Sequence, residues 1–261
     1  WTFTGTHYKN KVTDIPEAKR EDGITHDSYY NIRECRSAWD FYYYRYAGVD
    51  EEGHSMWYYD DTDANGNTVL ATTTDYSQAD KYYIGTALPD FQGGISTEFS
   101  WKGLDFSIAA NYQLGGKIYD SMYASMMHAG NNAGQNWHRD ILNAWSETNV
   151  TSNIPVLDGD QNANIFSDRF LVGASFFNIR NITLGYTFPK SWLKPAAIEN
   201  ARVYFAADNV ALWSKRKGMD PRQYISGQSQ ANYSDNPILP LWKPSPFKYS
   251  YPVLISDNIC A

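Results

Sequence analysis

The chain has 261 residues, of which 43% are hydrophobic, and it carries 22 basic against 29 acidic side chains. Its formal net charge of -7 argues against a nucleic-acid-binding surface, which would be basic. Cys35 and Cys260 lie far apart and indicate free thiols rather than a disulfide framework or a metal site. No apolar run approaches the roughly 18 residues of a membrane-spanning helix, but the strands of a membrane β-barrel need only ~10 residues that are half apolar.

The aromatic content is high at 16%, with 21 Tyr and 9 Trp. Tyr and Trp suit places with one apolar and one wet side, such as membrane interfaces, binding grooves and sugar platforms. The chain begins at Trp1 without a signal peptide, so we expect a fragment or a processed piece of a longer protein.

The first third of the chain is rich in strand-forming residues. Residues 1–12 alternate and predict a strand, and SYYNIRECRSAWDFYYYRYAGVD predicts strands around a turn at residues 34–36. A strand, a turn at Asn65-Gly66 and a returning strand follow. Residues 75–90 read as a loop closed by Pro89.

The stretch EFSWKGLDFSIAANYQLGG predicts a hairpin with a two-residue turn at Lys102-Gly103. Pairing across that turn places one apolar set of side chains on one face and a polar set on the other. The predicted facing pairs are Trp101 with Leu104, Phe99 with Phe106, Thr97 with Ile108, Ser100 with Asp105, Glu98 with Ser107, and Ser96 with Ala109.

The period changes after Gly116. Ile118, Met122 and Met126 follow a helical spacing, and Trp137, Ile141 and Trp145 repeat it, so two short helices are predicted. They lie in a connection of residues 115–169, a length that is usually functional or disordered.

Strands resume in FFNIRNITLGYTF, with Ile182, Leu184, Tyr186 and Phe188 on one face, and in ARVYFAADNVALW. The connections at 102–103 and 189–200 are short, whereas those at 115–169 and 214–234 are long. Because successive antiparallel strands place alternate connections at opposite ends, the lengths sort by end. Outer-membrane barrels sort their loops in this way.

Five ordered motifs carry a family resemblance: YYYRYAGVD, YQLGGKIYDSMYASMMHAG, WHRDILNAW, SDRFLVGASFFNIRNITLGYTFP and RVYFAADNVALWSKRKGMDPR. Together they resemble the C-terminal part of the SusC/RagA family of TonB-dependent outer-membrane receptors of Bacteroidetes. The resemblance covers residues 1–233.

The resemblance implies an all-β fold: an antiparallel transmembrane β-barrel segment, several strands of a barrel of about 22, with long, partly helical extracellular loops. It implies location in the cell outer membrane and import of glycan or peptide substrate, powered by TonB through a plug absent from this chain. A SusD-like surface lipoprotein would form a lid. The resemblance implies no enzyme activity and no cofactor, and nucleic acid is not a partner.

Site residues follow from the predicted faces and loops. Lipid-facing candidates are Phe99, Trp101, Leu104, Phe106, Ile108, Ile182, Leu184 and Tyr186. Lumen-facing candidates are Glu98, Ser100, Asp105, Ser107, Asn111 and Thr183. Candidates for contact with the lid are Tyr119, Met122, Met126, Trp137 and His138, because a Met-rich face in an outer loop suits a docking surface.

The tail departs from the family pattern. Residues 234–261 contain Pro237, Pro240, Pro244, Pro246 and Pro252, and proline removes a ladder donor, so the segment cannot be a central membrane strand. We expect a divergent Pro-rich tail in place of the usual closing strand, and a shift of reading frame is one hypothesis for its origin.

Other motifs are weaker. Asp61, Asp63, Asn65 and Gly66 resemble the start of a calcium loop, but Thr72 stands where a bidentate Glu belongs, and a hairpin turn selects the same residues. The five histidines show no metal-ligand spacing, and no catalytic motif is present. The aromatic cluster Trp39–Tyr46 is interpreted as strand residues alternating between an interfacial belt and a lumen, or as ligand and lid contacts.

Two alternatives remain from the residues alone. A secreted, aromatic-rich β-sandwich glycan-binding module predicts a soluble monomer, and a glycoside hydrolase domain predicts turnover that depends on one carboxylate.

Overall fold

The computed structural model describes residues 1–26, 29–215 and 220–223. Two short helices are present, α1 (Ser121–Met126) and α2 (Lys190–Leu193). Single 3-10 turns occur at Glu17–Lys19, Tyr76–Gln78, Arg139–Asn143, Asp168–Phe170, Lys194–Ala196 and Pro221–Gln223. The strands are β1 (Thr2–Thr6), β2 (Ile24–His26), β3 (Tyr30–Ile32), β4 (Asp40–Tyr44), β5 (Tyr46–Val49), β6 (Ser55–Thr62), β7 (Thr68–Thr73), β8 (Lys81–Thr86), β9 (Phe91–Trp101), β10 (Leu104–Leu114), β11 (Lys117–Tyr119), β12 (Leu171–Gly173), β13 (Phe176–Thr187) and β14 (Arg202–Ser214).

A five-stranded sheet in the order β1-β9-β10-β13-β14 forms the largest part of the fold. All of its pairings are antiparallel. The β9–β10 hairpin has the predicted register in every facing pair, from Trp101 opposite Leu104 to Ser96 opposite Ala109. Lys102 and Gly103 both adopt positive φ, 47° and 87°, which is the backbone that a two-residue hairpin turn requires.

A β-bulge interrupts β13 at Arg180. Asn181 lies opposite Ala109, but Ile179 lies opposite Ala110, so Arg180 has no partner on β10. A strict alternation continued from Ile182 would have placed Asn178 among the apolar side chains. The bulge shifts the register by one residue and moves Ile179 and Phe177 onto the apolar side instead.

The connections of this sheet differ in length at its two ends. Residues 102–103 and 188–201 join strands at one end, and residues 7–90 and 115–175 join strands at the other. The predicted short connections at 102–103 and 189–200 and the long one at 115–169 are therefore present, whereas most of the long connection predicted at 214–234 lies outside the described residues. The sequence did not indicate that residues 7–90 are themselves one connection between neighbouring strands β1 and β9.

The two long connections fold against each other into what we call the loop assembly. It contains the sheets β2-β3-β4-β8 and β5-β6-β7 and the ribbon β11-β12. Tyr44 bridges to Ser167, and the N–H of Tyr46 donates to Asp168 Oδ1 at 2.8 Å. Its aromatic-rich core consists of Tyr29, Tyr30, Phe41, Tyr43, Ala87, Tyr119, Ala124, Met127, Ile141 and Phe170.

The loop assembly corrects several predictions. Phe41 and Tyr43 are buried in it, so the aromatic cluster does not alternate between a membrane belt and a lumen. Residues 75–90 contain β8, paired with β4, rather than only a loop. Residues 117–119 are a strand, so the first predicted helix starts at Ser121, and the second is a 3-10 turn at Arg139–Asn143. The helical and loop predictions for these segments were wrong because pairing between distant strands overrides the hydrophobic period of a short segment.

The fold of the described residues is all-β with antiparallel sheets, as predicted. The strand predicted for residues 1–12 is shorter, covering Thr2–Thr6. The turn at residues 34–36 and the hairpin around Asn65-Gly66 are both present. The helices of the described part are too short and too polar to cross a bilayer. The predicted Pro-rich tail at 234–261 lies outside the described residues, as does Cys260, whereas Cys35 is a free thiol.

Candidate functional site: two sheet faces and the loop assembly

One face of the five-stranded sheet is apolar along its whole length. Trp101, Phe99 and Leu184 are 59%, 56% and 45% exposed, so the rest of the described chain does not cover them. All eight lipid-facing candidates lie on this side. The side chains of this surface, called the apolar face, are Phe3, Phe91, Ile95, Thr97, Phe99, Trp101, Leu104, Phe106, Ile108, Ala110, Tyr112, Leu114, Phe177, Ile179, Ile182, Leu184, Tyr186, Val203, Phe205, Ala207, Ala211 and Trp213.

Aromatic side chains are placed near both ends of the apolar face. Phe91, Tyr112, Phe177 and Trp213 lie near the long connections. Trp101 and Tyr186 lie near the short ones, and Phe188 extends that group at 5.3 Å from Tyr186. Phe99, Phe106 and Phe205 lie two residues further in from the short connections. Apart from Phe3 at the edge, the middle of the face consists of Ile, Ala and Thr pairs such as Ile108 with Ile182. Two aromatic girdles around an aliphatic band are typical of a surface that meets the two interfaces of a bilayer.

The opposite face is polar. All six lumen-facing candidates, Glu98, Ser100, Asp105, Ser107, Asn111 and Thr183, lie on it, on the adjacent strands β9, β10 and β13. Arg202 and Asp208 of β14 join them. The structure therefore brings together the side chains of each predicted set, while the assignment of the two faces to lipid and lumen stays a prediction.

Hydrogen bonds between strands satisfy much of the polar face. Asn178 Nδ2 donates to Asn111 Oδ1 at 2.8 Å, and Asn181 Nδ2 donates to Asp208 Oδ1 at 2.7 Å. Within β13, Thr183 Oγ1 donates to Asn181 Oδ1 at 3.1 Å. A network of this kind fixes side-chain positions and leaves a surface that water can wet.

The lid-contact candidates lie together in the 115–175 connection. Met122 and Met126 are half-buried on α1, whose first turn is capped by Asp120 accepting from Tyr123 N at 3.0 Å. Trp137 is 49% exposed, and its Nε1 donates to the carbonyl of His128 at 2.9 Å. His138 caps the following 3-10 turn by accepting from Asp140 N at 3.1 Å.

Tyr119 corrects the candidate set. It is 2% exposed, with Tyr43 at 5.6 Å and Phe170 at 6.1 Å between ring centroids. Burial raises the pKa of its hydroxyl above the usual range. Because the ring is inside the core of the loop assembly, it cannot contact a partner protein at the surface. Leu142, which is 81% exposed in the neighbouring 3-10 turn, was missed because it lies off the predicted apolar stripe of Trp137, Ile141 and Trp145.

Two charged residues that are neighbours in sequence, Asp168 and Arg169, lie where the two long connections meet. Arg169 donates to the carbonyl of Ala163 at 2.8 Å and packs over Tyr46, with 5.0 Å to the ring centroid. Burial lowers the pKa of Arg169 and raises that of its neighbour Asp168. These groups hold the junction of the connections and are not exposed for binding.

The calcium-like motif forms a hairpin turn. Asp63 Oδ1 accepts from the N–H groups of Asn65 and Asn67 at 2.8 Å each, and its Oδ2 accepts from Asn67 Nδ2 at 3.2 Å. Thr72 lies on β7, paired with Tyr58. Turn chemistry thus explains these residues without an ion.

Among the described residues, one group of three possible metal ligands contains a histidine. Ligand atoms of Asp50, Glu52 and His54 lie within 4.8 Å of one another. Asp50 Oδ1 accepts from the N–H groups of Glu52 and His54 at 3.0 Å and 2.8 Å. The carboxylate holds a turn, and the cluster by itself does not define a metal site.

A basic cavity in the loop assembly was missed entirely. It is lined by Arg33, Arg36, Arg45 and Lys81 together with tyrosines of β4 and β8. These cations are spread over 49 positions of the sequence, and only the pairing of β4 with β8 brings them together. No spacing rule could have found them.

An antiparallel sheet with a girdled apolar face, a polar reverse face and loops sorted by end has the pattern of a membrane β-protein. No family model matches the chain. It is 26% identical over 249 residues to TonB-dependent receptor P3 of Formosa agariphila, covering 90% of this chain and 23% of that receptor. It is 30% identical over 161 residues to TonB-dependent receptor SusC of Bacteroides thetaiotaomicron, covering 61% of this chain and 15% of SusC.

Solved structures of related transporters match the fold of this chain. The RagAB peptide transporter matches with a TM-score of 0.65 and 31% identity, over 76% of this chain and 22% of that chain. The "open-open" state of the RagAB peptide importer matches with a TM-score of 0.65 and 29% identity, over 81% and 22%. The chain spans less than a quarter of the length of these relatives. It is a segment of a SusC/RagA-like TonB-dependent receptor.

Proposed function

We propose that this segment forms part of the wall and outer loops of an outer-membrane transporter that imports oligosaccharides or peptides by a TonB-dependent mechanism. The apolar face contacts lipid, and the polar face lines the lumen of a barrel of about 22 strands. The proposed role is structural: the strands separate the lumen from lipid. Strands that pair with their neighbours satisfy their backbone hydrogen bonds within a bilayer.

The exposed apolar face is the observation that carries this proposal. Its strands β9, β10, β13 and β14 have 11 to 13 residues, which is enough for a tilted strand to cross a bilayer. A soluble β-sandwich would cover such a face with a second sheet. The described chain places its other sheets in the loop assembly at one end instead.

The membrane assignment is tested with adjacent residues that point to opposite faces. Phe99→Cys and Ser100→Cys are made singly in the full-length protein after Cys35 and Cys260 have been replaced by Ser, and each is labelled with an environment-sensitive fluorophore. We expect lipid-borne nitroxide to quench the label at residue 99 and aqueous iodide to quench the label at residue 100. Equal quenching by iodide at both positions contradicts the proposal and favours the secreted β-sandwich.

The loop assembly is proposed to contact a SusD-like lipoprotein lid. Half-buried Met122 and Met126 lie beside exposed Trp137, and a flexible methionine surface can adapt to a partner. Replacing both methionines with Glu is expected to reduce recovery of the lipoprotein in co-purification. Ser125→Glu with Gln135→Glu is the matched control, because both positions are exposed in the same connection and the charge change is equal. Unchanged recovery with the methionine variant removes this surface from the lid interface.

A further inference from the structure

A cavity of about 450 Å³ opens in the loop assembly beside the β4–β8 strand pair. Its volume falls in the range of pockets that bind small ligands. The lining residues are Arg33, Arg36, Tyr42, Arg45, Lys81, Tyr82, Tyr83 and Ile84.

The cavity is strongly basic in a chain whose net charge is -7. Arg36 Nη1 lies 3.8 Å from Asp40 Oδ2. Within the described residues, no carboxylate lies within ion-pair distance of Arg33, Arg45 or Lys81. Asp60 and Asp80 act on Tyr82, and Asp168 acts on Arg45, from outside the lining. The lining itself contains four cations and no carboxylate, which is a favourable environment for an anion.

Tyrosine rings hold these cations in place. The guanidinium of Arg36 lies 3.8 Å from the ring centroid of Tyr83, and that of Arg45 lies 4.7 Å from Tyr58 and 5.4 Å from Tyr82. Lys81 Nζ lies 5.1 Å from the ring of Tyr44. Stacking on a ring uses the face of a guanidinium and leaves the N–H groups at its edge free to donate.

The rings are fixed in turn. Tyr82 donates its hydroxyl to Asp60 Oδ1 at 2.8 Å, and Tyr83 donates to Asn31 Oδ1 at 2.9 Å. Both hydroxyls have pKa values raised by burial, so they stay protonated donors at neutral pH. The positions of the cations are thus set before any ligand arrives, which lowers the cost of binding.

The hydrogen-bonding groups of the cavity are mainly donors. Arg33 Nε is buried and has no hydrogen-bond partner among the described residues, while its Nη2 donates to the carbonyl of Glu21. Guanidinium and ammonium groups accept no hydrogen bonds. A carboxylate or sulfate group offers only acceptors, so it matches this set of donors better than a peptide backbone or a sugar hydroxyl, each of which brings donors of its own.

We propose that this cavity binds an acidic oligosaccharide, one whose sugar rings carry carboxylate or sulfate groups, with Arg36, Arg45 and Lys81 contacting the anions. The inference rests on the proposed transport function and narrows its substrate class. Fixed guanidinium groups pair with carboxylate or sulfate in a defined geometry, so the site selects ligands that carry negative charge.

The test is isothermal titration of the full-length protein in detergent with three ligands of equal length: oligogalacturonate, a sulfated galactan oligomer and a neutral maltooligosaccharide. We expect at least one acidic oligomer to bind about ten-fold or more tightly than the neutral one, which is the order of one lost charge-assisted contact. Its affinity should fall as salt rises. Whichever acidic oligomer binds identifies carboxylate or sulfate as the recognised group.

Variants locate the binding. The double variant Arg36→Gln, Lys81→Gln should bind the acidic oligomer about ten-fold or more weakly than the unchanged protein. Lys9→Gln with Lys11→Gln removes the same charge from exposed positions outside the cavity and should leave the affinity unchanged. An equal loss in both variants, or equal binding of neutral and acidic oligomers, overturns the proposal.

Hexaglutamate is titrated as a fourth ligand to test whether the cavity prefers an acidic peptide. Tighter binding of hexaglutamate than of either acidic sugar, lost in the cavity variant, overturns the carbohydrate assignment in favour of an acidic peptide. The fluorescence test at residues 99 and 100 uses no ligand, so it succeeds or fails independently of these titrations.

Discussion

Arg202 and Asp105 form an ion pair across an intervening strand. Arg202 Nε on β14 donates to Asp105 Oδ1 on β10 at 3.2 Å, and β13 lies between the two strands. Gly185 of β13 faces Asp105 and lies directly under the pair. A Cβ at this position would come within 2.5 Å of both Arg202 Nη2 and an oxygen of Asp105. The pair spans two strand spacings because the residue beneath it has no side chain.

Gly185→Ala is therefore expected to displace this ion pair and lower the melting temperature slightly, since the backbone there does not require glycine. The effect is measured by thermal unfolding of the full-length protein. The same substitution in an Asp105→Asn, Arg202→Gln background should have almost no effect. An equal decrease in both backgrounds would show that the glycine serves another purpose.

Phe99→Arg and Ser100→Arg are expected to differ strongly. A basic side chain on a lipid-facing strand position costs about 2–4 kcal/mol at the bilayer midplane and about 0–1 kcal/mol near an interface, so Phe99, two residues from Trp101, lies between these limits. In a lumen the cost is much smaller. Phe99→Arg should reduce the folded, membrane-inserted fraction, whereas Ser100→Arg should insert normally. Heat-modifiable migration in gel electrophoresis reports that fraction. Equal tolerance of both variants is inconsistent with a lipid-facing apolar face.

Gly103→Ala is expected to destabilise the β9–β10 hairpin by about 1 kcal/mol or more. Gly103 has φ of +87°, and an added Cβ would lie 2.5 Å from the carbonyl oxygen of Thr187. Gly66→Ala is the matched control, because Gly66 has φ of +81° but nothing within 4 Å of an added Cβ. Denaturant titration of refolding measures both, and the difference between them isolates the steric cost from the cost of positive φ.

Asp168 should make the stability of the loop assembly depend on pH. Burial raises the pKa of its carboxyl above the usual 3.8, although the N–H of Tyr46 and the charges of Arg45 and Lys117 lower it. The folded state therefore favours the protonated acid, so stability falls as the pH rises from about 4 through the raised pKa.

Asp168→Asn removes that titration and should flatten the dependence. Tryptophan fluorescence during thermal unfolding at pH 4 and pH 7 measures it. Asp61→Asn, at an exposed position of β6, is the control and should retain the wild-type slope. A slope unchanged by Asp168→Asn assigns the pH dependence to other groups.

The sequence predicted the sheet well where strands are long and joined directly. Alternation along β9 and β10, with a glycine in a two-residue turn, determined the register because a slip by one residue would exchange the two faces. The bulge at Arg180 was not predicted, although the apolar residues change there from odd positions, Phe177 and Ile179, to even positions from Ile182 onward.

The loop assembly was predicted poorly because its strands have only three to eight residues and pair over long sequence distances. Tyr42 and Tyr83 are paired across 41 positions, and the run Tyr42–Tyr44 gives no sign of which face is buried. The same non-local pairing assembles the basic cavity. A local sequence pattern reflects interactions between residues that are close in sequence. The loop assembly is stabilised by contacts between residues that are far apart in sequence.

The shared core of the two long connections also constrains the order of assembly. Tyr43, from the first connection, packs against Tyr119, from the second, and both connections leave the same end of the sheet. On the membrane assignment proposed above, each connection would cross the bilayer before this core packs, because the core needs residues from both connections. Biogenesis of the full-length receptor would then end with the closing of that core on the outer side, after the hairpins are already in place.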